Sequence, residues 1–231
     1  MPVWGSFTGG GFSKRQSALS YVRQNLLFSV DAANYSTGNW LDDSGNGYQF
    51  APTNGPTYVS GALPYWSMDG SDDHFVSTAS IELRQNFTLE TWVYVTGNGS
   101  GFFGQGPTTS NNGLHIMWYI YNDRGIIYGM YGNDLDTPSF NLSFNTWYNF
   151  SFTYNHSSYL KQFYSNGSLI NSGTGSAYGG TGQLRLATTY GVGYGGAMAK
   201  GRYAIARMYT SVLSAAQISQ NFNALRGRFG I

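Results

Sequence analysis

The carboxylates of this chain are candidates for glycoside hydrolysis, which requires two carboxyl groups, one on each side of the scissile bond. The chain has two glutamates, Glu82 and Glu90, and neither stands in a Glu-x-Asp-x-(x)-Glu pattern that would place the pair on one strand. The only Asp-x-Asp segment is Asp134-Leu-Asp136, which the sequence predicts to lie in a loop-like stretch. The spacing therefore argues against a glycosidase.

The histidines give no stronger sign of catalysis. His74, His115 and His156 are far apart in the sequence, and no HExxH, GxSxG or P-loop pattern occurs. A triad assembled in space stays open, although a lone histidine such as His115 in an aromatic strand is more typical of a packed or surface residue. We expect a protein that is not an enzyme.

Two acidic turns suggest a calcium-binding site, because Ca²⁺ is bound by clustered carboxylate and carbonyl oxygens. Asp43 lies in the first turn beside Asp42 and Asn46, and Asp69 lies in the second. Asp43 and Asp69 are the metal candidates, and the protein requires no other cofactor. The alternative is that these residues form turns by hydrogen-bonding to their own backbone.

Exposed aromatic side chains could bind glycans, because sugar rings stack on them. Most aromatics of a chain that is 17% aromatic belong to the core or to sheet faces. We expect tyrosines in the glycine-rich loops to be more exposed than those on strands. The strand candidates are Trp118, Tyr119, Tyr121, Tyr128 and Tyr131, and the loop candidates are Tyr178, Tyr190 and Tyr194.

The composition is that of a turn-rich β protein with few charges. Charged residues make up 10% of the chain, against about 25% in typical globular domains. This composition fits a rigid extracellular or virion protein, or one whose surface is covered by partners. Cysteine is absent, the N-terminus does not read as a signal peptide, and the longest apolar run is too short to span a membrane.

The charges are distributed unevenly. All 11 acidic residues lie between Asp31 and Asp136, whereas residues 1–25 and 200–231 carry only basic ones. Basic ends on an acidic body suggest electrostatic contact with a neighbouring subunit or with an acidic surface. No Lys/Arg run exceeds two residues, so nucleic acid is not an expected partner.

Residues 1–24 are predicted to form an N-terminal arm. Three consecutive glycines, residues 9–11, make its backbone permissive. The arm could pack on its own domain or dock on another subunit. Its candidate docking residues are Trp4, Phe7, Phe12, Lys14 and Arg15.

Residues 25–231 are predicted to form one β domain. Phe87–Val95 and Asn145–Tyr154 are aromatic strands, and in the second one Tyr148, Phe150, Phe152 and Tyr154 share the face expected to be buried. Asn166-Gly167 predicts a hairpin. Ser214 and Gln217 form a capping box for a helix at about 214–226, with Gly227 as the residue that follows its end.

The order of these segments resembles the laminin-G-like branch of the concanavalin A-like lectin/glucanase superfamily. The resemblance implies an all-β fold, an antiparallel jelly-roll β-sandwich with one short C-terminal helix. The C-terminal segment is also similar to the endings of such domains in bacteriophage structural proteins. The pieces that match the laminin-G-like branch are residues 27–32, 43–47, 68–75, 87–92, 145–148, 164–168 and 209–222.

These observations predict a non-enzymatic virion structural protein, a decoration of a phage capsid or other outer surface. It would dock through its arm on other virion proteins, in a homo-oligomer or multi-copy assembly, and would be localised to the virion. The alternative is a glycan-binding lectin or adhesin domain that recognises a host glycan.

Overall fold

The computed structural model describes residues 20–119, 125–189 and 196–231. Within these ranges two antiparallel sheets pack face to face, and one α-helix follows the last strand. The elements are β1 (Leu26–Asp31), β2 (Trp40–Leu41), β3 (Gln49–Thr53), β4 (Thr57–Val59), β5 (Tyr65–Asp69), β6 (His74–Ser80), β7 (Phe87–Val95), β8 (Gly101–Gln105), β9 (Leu114–Tyr119), β10 (Gly125–Gly129), β11 (Asp134–Thr137), β12 (Thr146–Tyr154), β13 (Leu160–Ser165), β14 (Ser168–Thr174), β15 (Gln183–Leu186), β16 (Lys200–Tyr209) and α1 (Ala215–Phe229), with a 3-10 turn at Ala32–Asn34.

In the part of the chain that the structure describes, each sheet has eight strands. In sheet A the order is β14-β13-β12-β7-β16-β5-β4, and β1 also pairs with β16. In sheet B the order is β11-β10-β9-β8-β15-β6-β3-β2. The predicted jelly-roll sandwich with a C-terminal helix is confirmed. No helix in the described ranges is long and apolar enough to cross a membrane.

The two aromatic strands form the centre of sheet A. β7 has the predicted bounds, β12 begins one residue later than predicted, and the two strands pair along their whole length. Phe150 and Phe152 face sheet B, where their rings contact Phe102 and Phe103 of β8 at centroid distances of 5.3 and 6.5 Å. Such tilted and edge-on ring contacts add to the stabilisation from apolar burial.

The polar face of β12 is buried as well, which the alternation did not predict. Asn149, Ser151 and Thr153 are each as inaccessible as the aromatic residues between them. The reason is that α1 and the chain before it cover the outer face of sheet A. There the backbone N–H of Leu213 donates to Thr88 Oγ1 at 3.0 Å.

Helix α1 begins as predicted and ends later. The capping box of Ser214 and Gln217 is confirmed. The helix continues through Gly227 to Phe229, and Gly230 takes the left-handed conformation at its end with φ 72°. The prediction that Gly227 follows the helix is therefore wrong. The extra turn is stabilised by packing, because the ring of Phe229 stacks on Trp92 with centroids 4.1 Å apart.

The described part of the predicted arm, residues 20–24, packs on the domain. The backbone N–H of Val22 donates to Asn221 Oδ1 at 2.8 Å, and Gln220 Nε2 donates to the carbonyl of Ser20 at 2.8 Å. The docking candidates Trp4, Phe7, Phe12, Lys14 and Arg15 lie outside the described residues.

The segment Asp134-Leu-Asp136 is part of strand β11, and the prediction of a loop-like stretch is wrong. β11 pairs with β10 at the edge of sheet B. Leu135 points inward and packs against the core. Because side chains alternate along a strand, Asp134 and Asp136 both point away from the core.

Candidate functional site

Among the described residues, two pockets lie on the outer face of sheet B, and strand β9 contributes to both. Leu114, Ile116 and Trp118 of β9 belong to the core between the sheets. The residues between them, His115, Met117 and Tyr119, therefore lie on the opposite face. Tyr119 lines one pocket, called the rim pocket, and His115 lines the other, called the His115 pocket.

The rim pocket has a volume of about 330 Å³ and joins residues from distant parts of the sequence. Ser71 follows β5, Asn98 follows β7, and Met198 precedes β16. Tyr119 and Lys200 complete a wall that combines one aromatic ring with several hydrogen-bonding groups. Small molecules are bound in pockets of this size and mixed chemistry.

Two glycines hold Lys200 at the rim pocket. The aliphatic part of the Lys200 side chain lies over Gly70 and Gly97. A Cβ on Gly70 would collide with it, and a Cβ on Gly97 would lie only 3.1 Å from its Cδ. Gly70 also has a φ of 78°, which favours glycine. The absence of two side chains thus makes room for the lysine stem along the pocket wall.

An acidic cluster adjoins this pocket through Gly70 and Ser71. Carboxylate oxygens of Asp69, Asp72 and Asp73 all lie within 4.8 Å of one another. Burial raises the pKa of the Asp73 carboxyl above its ordinary value, and the charges of Asp69 and Asp72 raise it further. Three close carboxylates are a donor set that fits Ca²⁺, and the bound cation would neutralise their mutual repulsion.

The same carboxylates also form the turn. Asp69 Oδ1 accepts the backbone N–H of Ser71 at 2.8 Å, and Asp73 Oδ2 accepts that of Asp69 at 3.0 Å. The hydrogen bond from Ser71 contributes most to lowering the pKa of Asp69. Both interpretations of the sequence, calcium ligand and turn former, therefore remain open for Asp69.

Asp43 lies in a different environment. Its Oδ2 accepts a hydrogen bond from Asn34 Nδ2 at 2.7 Å, and burial raises its pKa. The neighbouring Asp42 accepts the backbone N–H groups of Ser29 and Ser44, each at 2.7 Å. Among the described residues Asp43 joins no group of three potential metal ligands. This turn is held by its own hydrogen bonds, and calcium at Asp43 stays a prediction.

The His115 pocket has a volume of about 370 Å³ and is lined by His115, Tyr131, Gly132 and Asp134. His115 Nδ1 lies 3.0 Å from the carbonyl oxygen of Gly113. Its Nε2 lies 3.5 Å from Asp134 Oδ1. The imidazole is fully buried, whereas Tyr131 is 37% exposed.

The glycan candidates separate into several groups. Tyr119 and Tyr131 line the two pockets, and Trp118 and Tyr128 belong to the core. Tyr178 was expected to be exposed in a glycine-rich loop, but this is wrong because it is buried and its hydroxyl donates to Gln105 Oε1 at 3.1 Å. The other candidates, Tyr121, Tyr190 and Tyr194, lie outside the described residues.

Neither glutamate lines a described pocket. Glu82 is half exposed and pairs with Arg84 at 2.7 Å. Glu90 is buried beneath α1 and pairs with Arg207. Tyr119 and Asp69 were predicted separately as candidate site residues, whereas Asn98 and Lys200 were not. No local signal relates these residues, because they meet only when β5, β7, β9 and β16 have assembled.

The chain belongs to the concanavalin A-like lectin/glucanases superfamily, since the model of its laminin G-like family matches residues 69–219. No curated protein matches the sequence. Among solved structures, the chain is similar to Trypanosoma rangeli sialidase in complex with sialic acid. The TM-score is 0.65 and the identity 14%, over 88% of this chain and 33% of the sialidase.

Two botulinum neurotoxin structures are also similar. The binding domain of neurotoxin DC, in complex with rat synaptotagmin II, has a TM-score of 0.60 and 14% identity over 88% of this chain and 52% of its own. The receptor-binding domain of the C/D mosaic serotype has a TM-score of 0.58 and 12% identity over 87% and 51%. This chain spans about a third to a half of these proteins, and at such identity the likeness concerns the fold.

Proposed function

We propose that this domain is a non-catalytic carbohydrate-binding domain whose ligand site is the rim pocket. The observation that carries the proposal is the meeting of Tyr119, Asn98 and Lys200 around one pocket of about 330 Å³. An aromatic ring supplies a stacking surface, and hydroxyl, amide and ammonium groups supply hydrogen bonds. That combination suits a sugar ring.

A binding role fits the position of the carboxylates better than a hydrolytic one does. Glycosidases need an acid and a second carboxylate on opposite sides of the bond to be cleaved. Glu90 is engaged by Arg207 beneath the helix, and Glu82 by Arg84 at the surface. The acidic residues that flank Gly70 and Ser71 of the rim pocket form a single cluster, at Asp69, Asp72 and Asp73.

A glycan array followed by calorimetric titration of the best oligosaccharide tests the proposal. Replacing Tyr119→Ala removes the stacking surface, so we expect the affinity to fall at least tenfold, or about 1.4 kcal/mol. The control is Tyr159→Asn, because Tyr159 is a tyrosine that is 37% exposed and lines neither the rim pocket nor the His115 pocket. Its left-handed φ of 58° is one that Asn tolerates. Equal binding by both variants, or no array hit with calcium present, would contradict the proposal.

We also propose, as a second candidate function, a structural role in a virus particle, in which residues 1–19 dock on neighbouring capsid subunits. The supporting observation is the attachment of Ser20 and Val22 to helix α1. A subunit bound by residues 1–19 would then be connected directly to the sandwich, because residues 20 and 22 are hydrogen-bonded to helix α1. Deleting residues 1–19 is expected to abolish incorporation into particles while leaving the melting temperature unchanged. Full occupancy of the truncated protein on particles would refute this role.

A further inference from the structure

We propose that two copies of this chain associate through the outer surface of sheet A, with Arg202 of each copy paired to the acidic turn of the other. This association does not require a ligand at the rim pocket. We call the surface the association face, and it consists of Tyr65, Ser67, Asp69, Asp72, Tyr94 and Arg202.

Arg202 lies on a part of sheet A that helix α1 leaves partly uncovered. It is paired with Ser67 of β5 on one side and with Tyr94 of β7 on the other. The next residue of this row, Trp147 of β12, is buried and contacts Phe229 at the end of α1, with ring centroids 4.7 Å apart. Ser67, Tyr94 and Arg202 are only half-buried. The row therefore continues into an accessible surface that contains a charged group.

The Arg202 guanidinium is held by two aromatic rings and has no charged partner among the described residues. Its Cζ lies 4.6 Å from the ring centre of Tyr65 and 4.4 Å from that of Tyr94. No described hydrogen bond or ion pair engages its N–H groups, whereas Arg207 and Arg228 each pair with a carboxylate. A guanidinium has five N–H donors and can bind a carboxylate through two of them at once. Arg202 is thus available to a carboxylate from outside the chain.

The same face carries negative charge at its other end. Trp66 and Met68 of β5 belong to the core, so Tyr65 and Asp69 on the same strand point outward. These two residues are four positions apart, which is about 13 Å along a strand. Because the guanidinium of Arg202 lies beside Tyr65, the positive group and the acidic turn lie at separate places on one face. No described ion pair joins them within one copy.

The acidic turn offers carboxylates to such a partner. Carboxylate oxygens of Asp69, Asp72 and Asp73 lie within 4.8 Å of one another. Asp72 is exposed, and its carboxylate accepts no hydrogen bond from the described residues. None of the described Lys or Arg side chains forms an ion pair with this turn. Since close carboxylates repel one another, an arginine opposite the turn would gain an ion pair and relieve the repulsion.

A two-fold axis brings the two ends of the face together. In an interface between two identical surfaces, residue i contacts residue j and residue j contacts residue i. Ser67 lies midway between Tyr65 and Asp69 on β5. An axis near this small residue would place Arg202 of each copy opposite the acidic turn of the other, so that both ion pairs form at once. Tyrosine and arginine are common anchors of protein interfaces, which favours a protein partner over a small ligand.

Sedimentation equilibrium of the full chain over a range of concentrations tests the inference. We expect the wild type to dimerise reversibly and the dimer to weaken as salt screens the ion pairs. Arg202→Glu and Asp72→Arg should each weaken it at least about tenfold, because like charges then face each other at both contacts. A chelator is included, since calcium would compete for the carboxylates of the acidic turn.

A mixture of the two variants separates an interface from a purely structural role. Equal amounts of Arg202→Glu and Asp72→Arg should associate as tightly as the wild type, because opposite charges then meet at both contacts. The control is Arg84→Glu, which changes the net charge by the same amount. Arg84 has a side chain that is 51% exposed and lies beyond the other end of β7, so this variant should leave the dimer intact.

Three results would overturn the inference. They are a wild type that stays monomeric at every concentration, a mixture that associates no more tightly than its components, and an Arg84→Glu variant that weakens the dimer as much as Asp72→Arg does. A monomeric wild type would assign the association face to a partner other than a second copy. If the melting curve of Arg202→Glu shows that this variant is unfolded, Asp72→Arg at the exposed turn still tests the contact by itself.

Discussion

Arg207 Nη1 lies 3.2 Å from Glu90 Oε1, and both side chains are shielded from solvent. Asn221 of α1 donates to the other carboxylate oxygen of Glu90 at 2.6 Å. Tyr21 covers the guanidinium, with Cζ of Arg207 3.8 Å from the ring centre. A buried ion pair therefore joins sheet A, the C-terminal helix and the described end of the N-terminal arm.

Removing one partner of this pair is expected to be severely destabilising. Arg207→Met leaves Glu90 buried without its cation, which should lower the free energy of unfolding by about 3–5 kcal/mol. Urea denaturation of Arg207→Met, Glu90→Leu and the double variant provides the check. The double variant should lose less than the sum of the two single losses. Strict additivity would show that the two charges are not coupled.

Tyr21 should be coupled to the same arginine. The contact of a desolvated guanidinium with an aromatic face contributes up to about 2 kcal/mol. A double-mutant cycle with Tyr21→Leu and Arg207→Met is expected to give a coupling energy of about 1–2 kcal/mol. Leucine retains apolar packing without the ring, so a coupling energy near zero would mean that Tyr21 acts only as apolar cover.

Gly129→Ala should damage the His115 pocket. The new Cβ would occupy the position of the His115 ring, and overpacking of this kind costs about 1–3 kcal/mol. Gly227→Ala is the matched control, because Gly227 lies within helix α1 and a Cβ at this position would have no atom within 4 Å. That replacement should stabilise the protein by about 0.5–1 kcal/mol. Thermal unfolding of both variants measures the contrast, and equal melting temperatures would be inconsistent with the packing described.

Stability should rise with pH above 8 because of Lys161. Burial lowers the pKa of this lysine from 10.5 to about 8. The unfolded chain then binds the proton more tightly than the folded one, so folding is favoured as pH rises between these values. Relative to Lys161→Met, the wild type should gain up to about 2 kcal/mol between pH 8 and 9.5. Urea denaturation at both pH values tests this, and parallel changes in the two proteins would contradict it.

Calcium is expected to stabilise the protein through the acidic turn that contains Asp69. A ligand present at 100 times its Kd adds about 2.7 kcal/mol to the free energy of unfolding. Thermal shifts with millimolar calcium should disappear in Asp69→Asn and Asp72→Asn and persist in Asp43→Asn. A wild type that gives neither heat in calorimetry nor a thermal shift would eliminate this site.

Features set by neighbouring residues could be predicted from the sequence. The alternation of apolar residues located β7 and β12, and the Ser214–Gln217 capping box located the start of α1. Asn166 and Gly167 form the predicted hairpin turn with φ values of 49° and 79°. Each of these features depends on contacts between residues two to four positions apart, and such contacts leave a pattern in the sequence.

Features set by distant residues could not be predicted in this way. Alternation assigned the polar face of β12 to solvent, yet a helix more than sixty positions later buries it. Asp134 was assigned to a loop because its strand is short and lies at a sheet edge.

The sequence by itself determined the sandwich, its aromatic strands and its closing helix. Only the tertiary structure brought Tyr119 to Lys200 and His115 to Asp134. The physical reason is that periodicity and turn chemistry specify the direction of a side chain within its own strand. Its partners across the sheet depend on strand order and register, which are set by long-range packing of the whole chain.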